Sequence, residues 1–380
     1  MNFFKILLME LRAIVSHKGV LLILIGAPLI YGLLYPLPYL KDIVTQQKIA
    51  LVDEDNSFLS RQLAFMAQSS NELEIAFFSP SMLEAKKLLK EEKIYGILHI
   101  PSHFEANIHK QVPVTIDFYA NSNYFLIYGA LANAVVESIN ALNDEIRFKR
   151  NAQIEEAELG TDGIKIRPIA LYNPSEGYLN YALSSVFIFI LHQVMLIASS
   201  MFTSSRRLEL ALLDKKEIAL RLCARLLVFM AAFSVFILWY FGALFSFYGI
   251  ERHGSALMVF LNSLIFMLAT LSLGSFLGAW IKNEAHTTQI VLISSLPLIF
   301  MMGFVWPFES LPSYLQVFVQ IVPAYHGISL LGRLNQMHAE FIDVSIHFYA
   351  LIAIFIASFI ASFIGSVFKL SSLKKACENP

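Results

Sequence analysis

Four polar side chains interrupt long apolar stretches of this 380-residue sequence: His192, Gln193, Asn262 and Gln289. A polar group inside an apolar helix is costly, so it commonly either contacts a transported solute or proton or hydrogen-bonds a neighbouring helix. We therefore treat these four residues as candidates for the lining of a translocation path. Hydrogen bonding between helices is the alternative for each of them.

The sequence shows no arrangement of residues that predicts catalysis or metal binding. It contains no Gly-x-Ser-x-Gly, no Cys-x-x-Cys and no His-Glu-x-x-His. Cys223 and Cys377 are predicted to be unpaired structural thiols. The central parts of the apolar stretches after residue 178 carry no Asp or Glu, which argues against a carrier driven by a proton or ion gradient.

Composition predicts that most of the chain faces lipid. Hydrophobic residues make up 57% of the sequence and charged residues 15%, whereas soluble domains carry about 25% charged residues. The net charge of −1 gives no basic field for nucleic acid. A helix needs about 20 apolar residues to cross a bilayer. Six stretches meet this requirement, at 19–40, 178–202, 223–249, 256–281, 288–307 and 347–368.

The distribution of Lys and Arg predicts the orientation of these spans. Segments 1–18, 203–225, 282–287 and 369–380 together hold thirteen Lys and Arg, whereas 250–255 and 308–346 hold two. Both termini are therefore expected in the cytoplasm. The long segment 41–177, with 13 basic and 19 acidic residues, is expected outside. Glu284 and His286 are expected to be solvated residues of a short cytoplasmic turn.

The outer segment is predicted to fold as an α/β domain. KIALVDED, EIAFF, IYGILHIP and VPVTIDFYA have the pattern of strands, and two helices lie between the first three. Ser57 and Ser81 are the expected N-caps of those helices, and Glu84 stands at capping-box spacing from Ser81. A long helix over about 124–158 completes the domain.

Five stretches, in this order, resemble the type-2 ABC exporter permeases, which have one span, a large outer domain and five further spans. The stretches are FFKILLMELRAIVSHKGVLLILIGAPLI, ALVDEDNSFLSRQL, YGILHIPSHFEANI, LYNPSEGYLNY and GFVWPFESLPSYLQVFVQIVPAYHGISLLGRL. Together they cover nearly the whole chain. One departure concerns Asp214 and Lys215, which stand where the family usually has Thr-Pro.

The resemblance implies that an ATPase on another polypeptide drives this chain. No Gly-x-x-x-x-Gly-Lys-Ser/Thr occurs in the sequence, so ATP and magnesium are expected on that partner and no cofactor in this chain. The cytoplasmic loop 203–222 is the expected coupling contact, and a solvated connector is the alternative. Its candidate residues are Arg206, Arg207, Glu209, Leu212, Leu213, Asp214, Lys215 and Lys216.

Two further segments have roles that the resemblance implies. The hairpin 308–336, with Pro307, Pro312, Pro323 and Tyr325 as its marking residues, is expected to re-enter the outer leaflet and close the pathway, or else to fill space between spans. The N-terminal helix carries Phe4, Leu7, Leu8 and Leu11 on one face. It is expected to lie on the inner leaflet and either to clamp the ATPase or to anchor the chain.

The sequence thus predicts a polytopic α-helical membrane protein with six transmembrane helices and an inserted extracytoplasmic α/β domain. Its divisions are 1–40, 41–177 and 178–380. The expected function is the permease subunit of an ABC exporter in a bacterial inner membrane, moving a drug, lipid or glycolipid. The expected partners are an ATPase, membrane lipids and a second permease copy or paralogue, with a periplasmic adaptor left open. The alternative is a non-transporting scaffold or sensor whose outer domain binds a ligand.

Overall fold

A computed structural model describes residues 2–40, 44–122, 124–152, 172 and 178–378. The chain divides into two compact units. The helical unit comprises Met1–Leu40 and Ala170–Pro380, and the α/β unit comprises Lys41–Ile169.

The helical unit begins with an amphipathic helix, α1, followed by a longer apolar helix, α2. Its later helices run from α7 to α14. The bounds are α1 Phe3–Ser16, α2 Lys18–Tyr39, α7 Ser184–Ser205, α8 Arg207–Leu210, α9 Lys215–Phe247, α10 Ala256–Trp280, α11 Glu284–Met301, α12 Ser313–Val319, α13 Pro323–Gln336 and α14 Phe341–Glu378.

Five of the described helices are long and apolar enough to cross a membrane: α2, α7, α9, α10 and α14. The pair α12 and α13 would add a sixth only if counted as one span, and it bends by 80° at its break. The predicted span 288–307 corresponds to α11, which carries Pro297 and ends at Met301. Gly303 then adopts a positive φ of 88°, a conformation that a helix does not continue through.

Helix α7 is the centre of the helical unit, with most of its side chains buried. It packs closely against α10 because both helices present small residues at their contact. A Cβ added to Gly274 or Gly278 of α10 would lie under 3.0 Å from the α7 backbone. The glycines therefore set the distance between these two helices.

The third span differs from its expected bounds in a way that matters for the charged residues. The sequence predicts a span over 223–249, but α9 begins at Lys215, so the predicted loop 203–222 shrinks to a connection around α8. Arg221 and Arg225 consequently lie within a helix. The search for apolar stretches could not locate the first residue of α9, because the helix begins with the charged residues Lys215, Lys216 and Glu217.

The α/β unit holds a four-stranded sheet in the order β2-β1-β3-β4, in which β1 is parallel to β2 and β3, and β4 is antiparallel to β3. The strands are β1 Gln47–Asp53, β2 Leu73–Phe78, β3 Gly96–Ile100 and β4 Asp117–Ala120. The helices are α3 Phe58–Gln68, α4 Met82–Lys90, α5 Phe104–His109 and α6 Phe125–Ala152.

Strand β1 is buried on both faces because helices cover both sides of the sheet. Ile49 and Leu51 pack with α3, α5 and α6, whereas Ala50 and Val52 pack with α4. Both expected caps are present: the Ser60 amide donates to Ser57 Oγ at 3.1 Å, and the Glu84 amide donates to Ser81 Oγ at 3.3 Å. The fourth strand is shorter than expected, and the part of the long helix expected beyond Ala152 lies outside the described residues.

Candidate functional site

A buried carboxylate joins α1 to α9. Glu10 lies on the inner face of α1, on the side of the helix that also buries Ile6 and Ile14, and is 1% exposed. Its Oε2 accepts a hydrogen bond of 2.7 Å from Arg225 Nε, and its Oε1 accepts one of 3.2 Å from Arg221 Nη1. Arg225 is also 1% exposed, and its guanidinium lies 4.9 Å from the centre of the Phe202 ring. Two fully buried opposite charges therefore hold α1 on α9.

The ion pairs continue from this buried pair into the connection between α7 and α9. Arg221 Nη1 also donates to Glu209 Oε1 at 2.8 Å, and Arg206 forms a further ion pair with Glu209. Partial burial raises the pKa of Glu209, but the hydrogen bond and charge of Arg206 and the charge of Arg221 outweigh it, so this pKa lies below its ordinary value. Glu209 is therefore ionised at neutral pH and links α8 to α9.

We call the end of the helical unit that carries Glu10, Glu209, Arg221 and Arg225 the charged end. The start of α11 also contacts the charged end, since Nε2 of His17, the residue between α1 and α2, lies 3.2 Å from Oε2 of Glu284 in α11. Glu284 was expected to be only solvated, and its contact with a residue 267 positions away could not be read from local sequence.

The leucines around α8 divide between the protein interior and its surface. Leu210 is buried with Ile218 and Leu222, and this cluster packs against side chains of α14. Leu208 and Leu212 are 61% and 76% exposed. Asp214, Lys215 and Lys216, which follow, are also exposed. The connection between α7 and α9 is thus anchored to α9 and α14 by its buried leucine, Leu210. Its exposed surface presents other leucines beside charged side chains.

The remaining coupling candidates take different positions at the charged end. Leu213 is partly buried and packs against the Leu210 cluster. Arg207 lines a cleft of about 340 Å³ together with Leu208, Lys282 and Glu284. The segment 203–222 does not form a single amphipathic helix, because it is divided among the end of α7, α8 and the start of α9. Helix α8 has only four residues, too few to present a continuous apolar face.

The four candidate pathway residues do not share one environment. His192 is buried, with its ring 6.2 Å from Phe189 and 6.4 Å from Phe266. Asn262 Nδ2 donates to Met258 O within its own helix at 2.9 Å. Gln289 is exposed on α11. Among the described residues, no hydrogen-bond partner is found for the ring nitrogens of His192 or for the side-chain amide of Gln193.

The hairpin of α12 and α13 is held to the rest of the helical unit by several contacts. Pro307 and Pro312 precede helical turns, and Pro323 is the first residue of α13. The Tyr325 ring stacks on Phe308 at 4.7 Å. Gly327 packs against the Phe266 ring, so closely that an added Cβ would be 2.5 Å from it.

A pair of buried histidines joins α13 to α14. His326 Nε2 lies 2.9 Å from the carbonyl oxygen of Gln320, and His326 Nδ1 lies 3.0 Å from His347 Nδ1. Because a carbonyl oxygen only accepts, the proton of neutral His326 is on Nε2. Its Nδ1 must then accept a hydrogen bond from the Nδ1–H of His347.

We expect His347→Ala to destabilise the protein by about 1–3 kcal/mol, because it leaves a buried acceptor on His326 unsatisfied. His347→Asn should recover part of this loss, since an Asn amide places an N–H close to where Nδ1 lies in histidine. Unfolding in mixed micelles with increasing denaturing detergent would measure both. Equal losses for the Ala and Asn variants would show that the hydrogen bond contributes nothing.

Sequence reasoning missed Glu10 and assigned Arg221 and Arg225 only to the count of positive charges. One signal was available for Glu10. It stands four residues from both Ile6 and Ile14, at the spacing of a single helix face. An acidic residue on an apolar face predicts a cationic partner, although its identity requires the fold.

The chain matches a known protein family over most of its length. A family model described as ABC-2 family transporter protein covers residues 18–364. The protein named Probable multidrug ABC transporter permease YbhS, from Escherichia coli strain K12, is 31% identical over 87 residues, or 23% of this chain and 23% of that protein. The protein of the same name from Escherichia coli O157:H7 matches with the same figures. The match spans less than a quarter of each curated relative. The family match, together with the long apolar helices, shows that the chain is a multi-pass membrane protein that belongs to the ABC-2 transporter family.

Proposed function

We propose that this chain is the permease subunit of an ABC exporter and that a separate ATPase binds its charged end. The observation that carries the proposal is the set of exposed residues around α8. Leu208 and Leu212 are largely exposed, and the neighbouring Asp214, Lys215 and Lys216 are exposed as well. Exposed leucines with adjacent charges suit a groove on a soluble partner. ATP and magnesium are bound by that partner.

The ion pairs provide a physical route for movement from this surface into the spans. A push on α8 is transmitted through Glu209 to Arg221 of α9 and from there to Glu10 of α1. The Leu210 cluster passes the same movement to the end of α14. Nucleotide-driven closure of the ATPase would then displace three helices together.

Orientation and assembly follow from the charge distribution and the family. The charged end is cytoplasmic, which places both termini inside and the α/β unit outside the cytoplasm in a bacterial inner membrane. Two copies of the chain, or one copy and a paralogue, enclose the path, and α11 completes a set of six spans. The cargo is hydrophobic or amphipathic, a class that includes both lipids and drug-like molecules, the latter being what the name of the YbhS relative suggests for that protein.

We expect Leu212→Asp, combined with Leu208→Asp, to abolish co-purification of the ATPase, because two charges would enter an apolar contact. The expected loss of affinity is at least about tenfold. The assay is affinity capture of the tagged full chain, with a candidate ABC ATPase subunit from the same organism expressed alongside, followed by measurement of ATP hydrolysis in the eluate.

Leu83→Asp is the matched control, since Leu83 is exposed on the α/β unit and should leave capture unchanged. Capture that survives the double Leu208 and Leu212 substitution would move the ATPase contact elsewhere. A wild-type chain that captures no ATPase would instead favour the scaffold or sensor alternative.

A further inference from the structure

An open cavity of about 390 Å³ lies within the helical unit, at the end opposite the charged end. Residues 302–304, the hairpin and the start of α7 line it. Its apolar lining residues include Met302, Phe304 and Ile328, which are all buried. The volume lies near the lower end of the range of about 300–1,000 Å³ that small-molecule sites occupy.

Two opposite charges line this cavity without pairing with each other. Arg333 of α13 and Glu309 of the turn before α12 both lie at the exposed side of the cavity. Neither side chain forms an ion pair with any residue in the described part of the chain. A cation and an anion held apart in one cavity suit a ligand that carries both charges.

Neutral polar groups and an aromatic ring complete the lining. The hydroxyls of Ser185 and Ser329 form no hydrogen bond within the described residues, so both can bind a ligand. The Tyr325 ring, fixed by its stack on Phe308, forms one wall. Aromatic faces attract ammonium groups, which places the cationic part of a ligand beside Tyr325 and Glu309.

We propose that this cavity binds the zwitterionic head group of a membrane phospholipid, with its phosphate at Arg333 and its ammonium at Glu309. The apolar floor favours a lipid over a soluble zwitterion, because it offers a surface to the first carbons of an acyl chain. The hairpin also exposes Val317 and Phe318 of α12 and Ile321 of the turn that follows, which suits contact with lipid. This inference deepens the proposed function, on which it rests for the role of the bound lipid as cargo.

The test measures head-group selectivity on the purified full chain, without the ATPase, by native mass spectrometry in detergent. The probes are phosphatidylethanolamine, which is zwitterionic, and phosphatidylglycerol, which is anionic, with the same acyl chains. We expect the wild type to prefer phosphatidylethanolamine by about tenfold, the effect of one charged contact. No preference between the two lipids would overturn the proposal.

Two substitutions separate the roles of the charges. Glu309→Gln should remove the preference while phosphatidylglycerol binding is retained, because Arg333 still binds phosphate. Arg333→Gln should weaken binding of both lipids about tenfold. Glu340→Gln, an exposed acid that does not line the cavity, is the control and should change neither. An unchanged lipid ratio in Glu309→Gln would contradict the assignment of the ammonium site.

A competition experiment distinguishes the source of the zwitterion. Soluble glycerophosphoethanolamine carries the same phosphodiester and ammonium charges without acyl chains, and we expect it not to displace the bound lipid at millimolar concentration. Displacement would assign the cavity to a soluble zwitterion and overturn the lipid proposal. Capture of the ATPase is measured separately. A wild-type chain that captures the ATPase but shows no lipid selectivity would therefore reject the cavity proposal alone.

Discussion

Replacing Glu10 by Ala is expected to lower the free energy of unfolding by about 3–5 kcal/mol, the cost of leaving a buried charge without its partner. Arg225 is the residue left unpaired, since its other contact is the Phe202 ring and its Nη1 has no hydrogen-bond partner among the described residues. Arg221 would also lose its contact with Glu10 but would keep its ion pair with Glu209, so of the two arginines it is Arg225 that is left without a carboxylate partner. Titration with denaturing detergent in mixed micelles measures the change.

A double substitution separates the cost of an unpaired charge from the value of the pair itself. Replacing a buried ion pair by apolar residues of similar volume is often neutral or stabilising. Glu10→Leu combined with Arg225→Met should therefore recover most of the loss caused by either single change. Glu217→Ala is the control: this acid lies on α9, forms no ion pair within the described residues and should cost under about 0.5 kcal/mol.

Either of two results would reject this account of the buried pair. A Glu10→Ala variant as stable as the wild type would mean that water reaches Arg225 and that the two charges are not buried. A double variant no more stable than the single variants would mean that the ion pair itself, rather than its desolvation, holds α1 in place.

The two units differ in how far local sequence determines their elements. In the α/β unit, alternating strands and helices with serine caps at Ser57 and Ser81 were predictable because the signals lie within a few residues of each other. Residues 112–116, which were predicted as part of the fourth strand but do not belong to it, show the limit of prediction from local sequence. Val112 and Val114 favour a strand, but pairing with β3 extends only over Asp117–Ala120.

In the helical unit, hydropathy located the long helices but not their ends. The start of α9 was not predicted because its first turn is polar. The sequence also predicted that the apolar span 288–307 continues past Gly303, whereas α11 ends at Met301. The charged end could not be predicted as an assembly, since Glu10 and Arg225 are 215 residues apart. The candidate coupling and pathway residues keep their predicted roles as hypotheses that await functional experiments.

The contact between α7 and α10 should tolerate almost no increase in size, and Gly278 is where the effect is expected to be largest. An added Cβ would come under 3.0 Å from three atoms of α7, two of them in the backbone at Ser200 and Ser204. Backbone atoms cannot rotate away, so the helices must separate. We expect Gly278→Ala to cost about 1–3 kcal/mol and Gly278→Leu to prevent stable folding.

Gly242→Ala is the matched control for this prediction. Gly242 also lies in an apolar helix, α9, but an added Cβ there would meet no atom within 4 Å. Because Ala favours helices over Gly, this variant should be neutral or slightly more stable, by up to about 1 kcal/mol. Folding yield and detergent-induced unfolding measure both variants. Equal stability of Gly278→Ala and Gly242→Ala would show that α7 and α10 are not in close contact. The packing of the helical unit around α7 would then have to be rejected.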